Sequence, residues 1–257
     1  MNPARNIRLI IAYDGSNYSG WQRQKNDRTI QETLETALST ITRETVILHG
    51  AGRTDAGVHA LGMNANFHTH STITLYGLLK GLNSMLPHDI RILHSAVMDE
   101  DFHSRYNAKG KIYRYDFYTG HIQSPHERLY RVHMPRVTYL EPVRGCLEFI
   151  QGCHDFSSFE ASGSRDKTII SGKGAVRTLF KAELESSEIS PDHYSFIFSG
   201  NGFLRHMVRN IVGTLFESGK GKLTPEEFRD IIACRNRSFA GPTAPAHGLF
   251  LVSVNYN

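Results

Sequence analysis

Cysteine is scarce in this chain of 257 residues: only Cys146, Cys153 and Cys234 occur. An odd count, with no Cys-x-x-Cys pair and no Cys/His ladder at zinc spacing, excludes a disulfide framework and a structural zinc; reduced thiols are expected. Long apolar runs are missing too. The run Leu9–Ala12 near the N-terminus is too short for the hydrophobic region of a secretory signal, and nothing elsewhere is long enough to span a bilayer. The sequence therefore predicts a cytoplasmic protein with no membrane segment, in which the Asn-x-Ser at Asn17 is no glycan acceptor. Charge of one sign is not in great excess either. Lys plus Arg number 29 against 25 Asp plus Glu, a net charge of +4 with 14 further His. That balance suits a polyanionic partner without requiring one.

What is present reads as a duplicated α+β plan. Ile7, Leu9, Ile11 and Tyr13 alternate as a strand ending at Asp14-Gly15. Thr29-x-x-Glu32 is a capping box ahead of the helical stripe Ile30, Leu34, Ala37, Leu38 and Ile41. Val46 and Leu48 make a second strand, and Met63, Ala65 and Phe67 a third. Leu75, Leu78, Leu79, Leu82, Met85 and Leu86 form a second helix stopped by Pro87. Ile90, Ile92 and Val97 suggest a fourth strand. The order β-α-β-β-α-β is the ferredoxin-like plan. The second half nearly repeats it: a strand at 111–119, a helix around 139–152, and two or three strands across 156–199. The amphipathic helix of Leu204, Met207, Val208, Ile211, Val212, Leu215 and Phe216 follows. Thr224-Pro225 with Glu227 opens a short helix, and LFLVSVNY closes the chain as a strand. The expectation is two ferredoxin-like halves, 1–108 and 109–257, with mostly antiparallel sheets and an active-site cleft at their seam, where ligand sites tend to lie.

The most informative stretch is Gly50 to His59, GAGRTDAGVH. Its glycines allow positive φ and close backbone approach. They hold Asp55 between Thr54 and Ala56, with Arg53 two residues before it. An Asx-turn fits the same pattern. Tyr113 and Tyr115 share a strand face with Lys111, a surface able to stack a flipped base, though Tyr favours strands in any case. Arg105, Lys109, Lys111 and Arg114, with Tyr106 among them, form a basic stretch. Arg23, Lys25 and Arg28 form a second, which solvated loop charge explains nearly as well. Arg205 and Arg209 fall one helical turn apart. Gly219-Lys220-Gly221-Lys222 is not a phosphate-binding loop, because no strand precedes it; Gly219 is read as a helix end. His68 and His70 alternate on a strand without a third ligand nearby, so no metal site is expected.

The motif G-R-T-D-A-G-V-H resembles the signature loop of the tRNA pseudouridine synthase A family. The likeness continues in YDGSNYSGWQRQ, DFHSRYNAKGKIYRY, HMVRNIVGTL and GLFLVSVNY, along nearly the whole chain. The resemblance implies isomerisation of uridine to pseudouridine, at tRNA positions thirty-eight to forty, by a homodimer that needs no cofactor. It places the family's catalytic carboxylate on Asp55, its substrate-contacting Tyr on Tyr113, the Arg that pairs with the carboxylate on Arg209, and the Arg that holds the target nucleotide out of the helix on Arg53. Leu249 falls in the strand that lines the uracil pocket, where core packing is the ordinary role of a Leu. Arg23, Lys25, Lys111, Arg114 and Arg205 are the expected RNA contacts. The bottom-up chemistry agrees. The reaction exchanges a C–N for a C–C bond with no loss of electrons, so a carboxylate nucleophile suffices. Held ionised in a closed pocket, that carboxylate needs a cationic partner, and Arg stays charged when buried. The chain departs from the family pattern at 161–175, which is longer and more polar and would extend a hairpin near the RNA entrance, bearing on which uridines are preferred. Two rivals remain: a glycosidase using the same carboxylate, and a non-catalytic tRNA-binding protein; a synthase for other RNA positions is a third variant.

Overall fold

The computed structural model describes residues 3–163 and 174–257; most of the 161–175 segment therefore lies outside the described residues. The chain divides into two units, Met1–Lys109 with Phe250–Asn257, and Gly110–Leu249. It is a mixed α+β protein in which the strand pairing is mostly antiparallel.

In the first unit the elements are β1 (Arg5–Tyr13), α1 (Ile30–Thr42), β2 (His49–Gly50), β3 (His59–Thr69), α2 (Leu75–Met85) and β4 (Ile90–Met98). The strands pair antiparallel in the order β4-β1-β3-β2, the arrangement a β-α-β-β-α-β chain adopts when both helices cover one face. Ile7, Leu9, Ile11 and Tyr13 of β1 are buried, as their period of two requires, together with Met63, Ala65 and Phe67 of β3. Leu34 and Leu38 of α1 and Leu78 and Leu82 of α2 are wholly buried. Thr29 caps α1 by accepting the Glu32 N–H at 3.4 Å.

β4 carries a difference from the sequence pattern. Ile10 faces His94 while Ile11 faces Ile92, so Leu93 is an extra residue in the ladder. A β-bulge of this kind reverses which side chains point inward. Beyond it Ser95, opposite Leu9, and Val97, opposite Ile7, fall on the face of Ile92; Ser95 is buried and Val97 half exposed.

The second unit contains β5 (Gly110–Tyr118), β6 (Val132–His133), α3 (Leu140–Ile150), β7 (Gly152–Asp155), β8 (Val176–Ser186), β9 (His193–Gly200), α4 (Met207–Gly219) and α5 (Pro225–Cys234). Its sheet runs β5-β9-β8-β7, all antiparallel, with β6 parallel to β5. The last strand, β10 (Leu249–Asn255), pairs parallel to β3 through Phe250 and Leu251, opposite His59 and Ala60. The core of the second unit is aromatic. The Phe117 ring lies 5.0 Å from Phe196 and 5.1 Å from Phe216, the latter edge-on, geometries that add about 0.5–1.5 kcal/mol per pair to the area they bury. The α5 capping box is complete: Thr224 Oγ1 accepts the Glu227 N–H at 3.2 Å, and Glu227 Oε2 accepts the Thr224 N–H at 2.8 Å.

Helix α4 is buried on all sides apart from Arg209 and Glu217, the pattern of a helix inside a core. It ends at Gly219, as its sequence suggests, with Gly221 at φ +72° turning the chain away. Its tightest contact is at Gly213, where a methyl group would sit 1.7 Å from the Pro242 carbonyl oxygen. Helix propensity alone favours Ala over Gly by about 1 kcal/mol. The contact reverses that sign. Gly213→Ala is expected to destabilise the protein by about 1–3 kcal/mol, the cost of overpacking, seen as a lower urea midpoint with unchanged slope; a raised midpoint would contradict this packing.

Candidate active site

The loop after β2 is fixed by main-chain contacts to the segment that follows β1. Gly15 packs against Val58 so closely that a methyl group would lie 2.1 Å from the Val58 carbonyl oxygen. Gly20, at φ +93°, is 2.5 Å by the same measure from the Thr54 oxygen and 3.1 Å from the Asp55 carbonyl carbon. Trp21 N–H donates to the Thr54 oxygen at 3.1 Å, and Gly57 N–H to the Tyr18 oxygen at 3.4 Å. Side chains complete the clamp. The Tyr13 hydroxyl and Thr54 Oγ1 are 2.8 Å apart and buried, and Gly50 lies under the Trp21 ring. Gly15 N–H donates to Nδ1 of buried His59, whose ring stacks on Phe250 at 4.7 Å.

Asp55 sits in the middle of this arrangement. Its carbonyl oxygen accepts the Val58 N–H at 3.2 Å, and Gly57 takes φ +75° to close the turn. Its residue is partly exposed, between buried Thr54 and exposed Ala56. Asp55 therefore opens a turn. It is made by the main chain and by flanking Thr54. Arg53, two residues earlier, is exposed.

The clamp continues outward to the first basic loop. Tyr18 hydroxyl donates to Asp89 Oδ1 at 2.6 Å, and the Arg28 guanidinium lies 4.5 Å from the Tyr18 ring centre and donates to its oxygen at 3.0 Å. Burial first, then the bond to Asp89, hold the Tyr18 hydroxyl well above its ordinary pKa, so it stays a donor. Ser19 N–H donates to the Arg28 oxygen at 2.9 Å. Arg23 pairs with buried Glu35, whose other oxygen accepts the Leu48 N–H at 2.9 Å. Arg23 thus neutralises a buried carboxylate beside its exposed face, whereas Lys25 is simply exposed.

In the second unit, Tyr113 is 8% exposed and meets Phe203 edge-on at 4.9 Å. Tyr115, which shares its strand face, is wholly buried. Its ring packs edge-on against Phe216 and its hydroxyl donates to the Pro245 oxygen at 2.9 Å. Burial pushes that hydroxyl far up, an effect the nearby Arg209 charge opposes. The pair of stacking rings suggested by strand parity is therefore at most one ring, since Tyr115 belongs to the core. Lys111 and Arg114 are partly exposed, and Arg114 is paired with Asp116 at 2.9 Å.

Arg209 is bracketed by the segment leading to β10: its Nε donates to the Ala244 oxygen at 2.8 Å, and its own carbonyl accepts the Ala244 N–H at 3.0 Å. Arg205 does not share its helix. α4 begins at Met207 after His206 at φ +61°, so the helical spacing between the two arginines does not apply. Arg205 is exposed in the preceding turn, and its carbonyl accepts the Ala161 N–H at 3.0 Å. Leu249 is buried at the start of β10. A polar cavity of about 800 Å³, lined by residues that include Ser157, Glu160, Asn236, Arg237 and Gly241, touches none of these residues. Among the described residues no group of His, Cys, Asp and Glu could hold a metal ion, and no helix is long and apolar enough to cross a membrane.

The residues that chemistry-first reading passes over are Tyr13, Gly15, Tyr18 and Gly20. Their signal was the spacing of glycines and tyrosines in YDGSNYSG, which asks for a folded turn and not a flexible loop. Gly20→Ala is expected to lower the melting temperature by several degrees, because it forces a Cβ into positive φ and against Thr54. It is also expected to cut turnover by more than it weakens substrate binding, as Asp55 shifts. Thermal melts beside steady-state kinetics check both, and unchanged kcat in a destabilised variant would disconnect the clamp from Asp55.

Comparison with known proteins places this geometry in context. A family model described as tRNA pseudouridine synthase matches residues 9–107 and 148–257. The tRNA pseudouridine synthase A 1 of Desulfotalea psychrophila is 51% identical over 252 residues, covering 98% of this chain and 100% of that protein. The tRNA pseudouridine synthase A of Acetivibrio thermocellus is 47% identical, and that of Geotalea uraniireducens 43%, each with 98% of this chain and 100% of the relative covered. The loop clamped around Asp55 is therefore carried by a chain that belongs to the tRNA pseudouridine synthase family.

Proposed function

We propose that this chain acts on uridines at positions thirty-eight, thirty-nine and forty of the tRNA anticodon stem-loop, with Asp55 as the nucleophile. The family's reaction is the isomerisation of uridine to pseudouridine in tRNA, and the chain is an isomerase of that kind. The observation that carries the assignment of Asp55 is its place in the clamped Gly52–His59 turn. The turn's backbone is held from outside by Tyr18, Gly20 and Trp21, while the Asp55 residue keeps a partly exposed surface. A nucleophile that must meet a sugar or base carbon in one geometry gains most from such pre-organisation.

In this reading the C1′–N1 bond breaks, the base turns over, and C1′ bonds to C5, which gives up its proton while N1 takes one up, with Asp55 carrying the covalent intermediate. Arg209 supplies the positive charge that keeps the carboxylate ionised when water is excluded. Its hydrogen bond to Ala244 sets the direction of its guanidinium. Tyr113 contacts the flipped uridine, Leu249 lines the uracil pocket, and Arg53 holds the target nucleotide out of the helix. Lys25, Lys111, Arg114, Arg205 and the exposed side of Arg23 meet phosphates. The enzyme works as a homodimer in the cytoplasm without a cofactor, because the isomerisation moves no net electrons.

Pseudouridine mapping on a tRNA transcript incubated with the protein tests the reaction and its position together. Product at the three anticodon-arm positions is expected; product confined to other positions overturns the site assignment, and release of free uracil overturns isomerisation. Asp55→Asn keeps the shape of the side chain but removes the nucleophile. Its turnover is expected to vanish while tRNA binding stays within a few-fold of wild type, since phosphate contacts supply most of the affinity. Multiple turnovers by Asp55→Asn would exclude Asp55.

A further inference from the structure

Two rings of the chain between β4 and β5 stand in a row with one from β2. His49 of β2 lies 5.1 Å from His103, centre to centre, with the rings tilted by 41°, and His103 lies 4.3 Å from Tyr106, tilted by 34°. The inner ring is partly buried, while His49 is exposed and Tyr106 is 77% exposed. Tyr106, at the end of this row, offers its ring to solvent.

The row is mounted on a buried hydrogen-bond network of the first unit. Buried Asn6 donates through Nδ2 to the carbonyl oxygens of Asp99 at 2.9 Å and Phe102 at 2.7 Å. Buried Asn66 donates to Asn6 Oδ1 at 3.0 Å and accepts the Ser104 N–H at 2.8 Å. Tyr256 donates to the Ser104 oxygen at 2.8 Å and packs on Phe102 at 5.2 Å. Within the turn, His103 N–H donates to Asn107 Oδ1 at 2.7 Å, and Arg105 N–H donates to His103 Nδ1 at 3.0 Å. That last bond fixes the His103 tautomer, with Nδ1 as acceptor. Burial first, then the charge of His49, hold the His103 pKa below its ordinary value.

Position and charge indicate what the partner is. His49 stands immediately before Gly50, where the loop carrying Asp55 begins, and is held there by pairing with Asn66. Arg105 and Lys109 are exposed on the same short segment as Tyr106, so a planar group bearing negative charge on its backbone is matched twice. We propose that the row of rings Tyr106, His103 and His49 supports a platform on which an unpaired nucleotide base of the tRNA substrate stacks, face to face with Tyr106, with Arg105 and Lys109 beside its phosphates. The proposal rests on the tRNA reading above and adds a base-binding surface outside the residues that reading uses.

The test is anisotropy binding of an unmodified tRNA transcript to wild type, Tyr106→Ala, Tyr106→Leu and Tyr106→Phe, across a series of salt concentrations. One base stacked on an aromatic ring is worth about 1–3 kcal/mol, so Tyr106→Ala and Tyr106→Leu are expected to bind roughly five- to hundredfold more weakly. Tyr106→Phe keeps the ring and is expected to stay within about twofold of wild type. The slope of log affinity against log salt is expected to be unchanged in all three, because stacking releases no counterions. Wild-type affinity in Tyr106→Ala overturns the platform. So does a Tyr106→Phe variant as weak as Tyr106→Ala, which would make the hydroxyl the contact, and so does a flattened salt slope, which would make Tyr106 a support for Arg105. Pseudouridine formation by wild type on the same transcript separates the two claims. Its absence with ring-dependent binding intact sinks the reaction and not the platform.

Discussion

Everything proposed for Asp55 depends on two glycines that let one loop lie directly on another. A carbonyl oxygen cannot come within 2.1–2.5 Å of a Cβ, so the approach of Gly15 to Val58 and of Gly20 to Thr54 is open to no other residue. Once the backbones are that close, the polar groups of both loops can satisfy each other without water. Trp21 N–H and Gly57 N–H find carbonyls across the contact, and Thr54 Oγ1 finds the Tyr13 hydroxyl. The result is a turn whose shape is set by hydrogen bonds between main chains. Such a turn costs conformational entropy at folding and none when the substrate arrives.

Much of this was legible in the sequence, and the reasons for the rest are specific. Period-two runs located β1, β3 and β4, and helical stripes located α1, α2 and α4, because burial on one face leaves a periodic trace. Capping chemistry at Thr224 and Glu227 was readable since a helix start needs donors satisfied within three residues. The bulge in β4 was not readable, because one extra residue at Leu93 reverses parity without any mark in composition. Arg205 looked like a helical neighbour of Arg209 until His206 took positive φ and moved the helix start beyond it. Tyr115 matched Tyr113 in parity and type; only the Phe216 ring and the Pro245 carbonyl assign it to the core. Asp55 was found because the signature around it is dense, but the clamp that places it is made with residues some forty positions earlier. Contacts of that separation leave no local pattern.

The basic residues divide in the same way. Charge is visible in sequence; its occupation is not. Arg23 faces Glu35 and Arg114 faces Asp116, so part of their charge is already spent inside the protein. An Arg held by one carboxylate still presents the rest of its donors to a phosphate, and it presents them from a fixed direction. Lys25 lies exposed on a loop and offers charge without direction. The first kind can set register along an RNA backbone, while the second mainly adds affinity. The loop of Arg23, Lys25 and Arg28 holds both kinds. Through Arg28, Tyr18 and the Gly57 N–H it is also connected to the turn that holds Asp55.

The second unit repeats the device that fixes the first. At Gly213 the Pro242 carbonyl presses on α4 where a side chain would otherwise stand, and Gly241 lies against the helix backbone in return. The neighbouring bonds are again reciprocal. Arg209 and Ala244 exchange a side-chain and a main-chain hydrogen bond, while Asn210 gathers the Thr243 hydroxyl and the Arg237 guanidinium on one oxygen. Asp55 and Arg209 are thus both located by glycine-mediated contact between main chains. Side-chain rotamers then have little room to change where either charge begins. Catalysis by a carboxylate and its counter-charge is more sensitive to small displacements than binding is. In the proposed reaction, the contacts that fix each group through its backbone stand where movement is least tolerated.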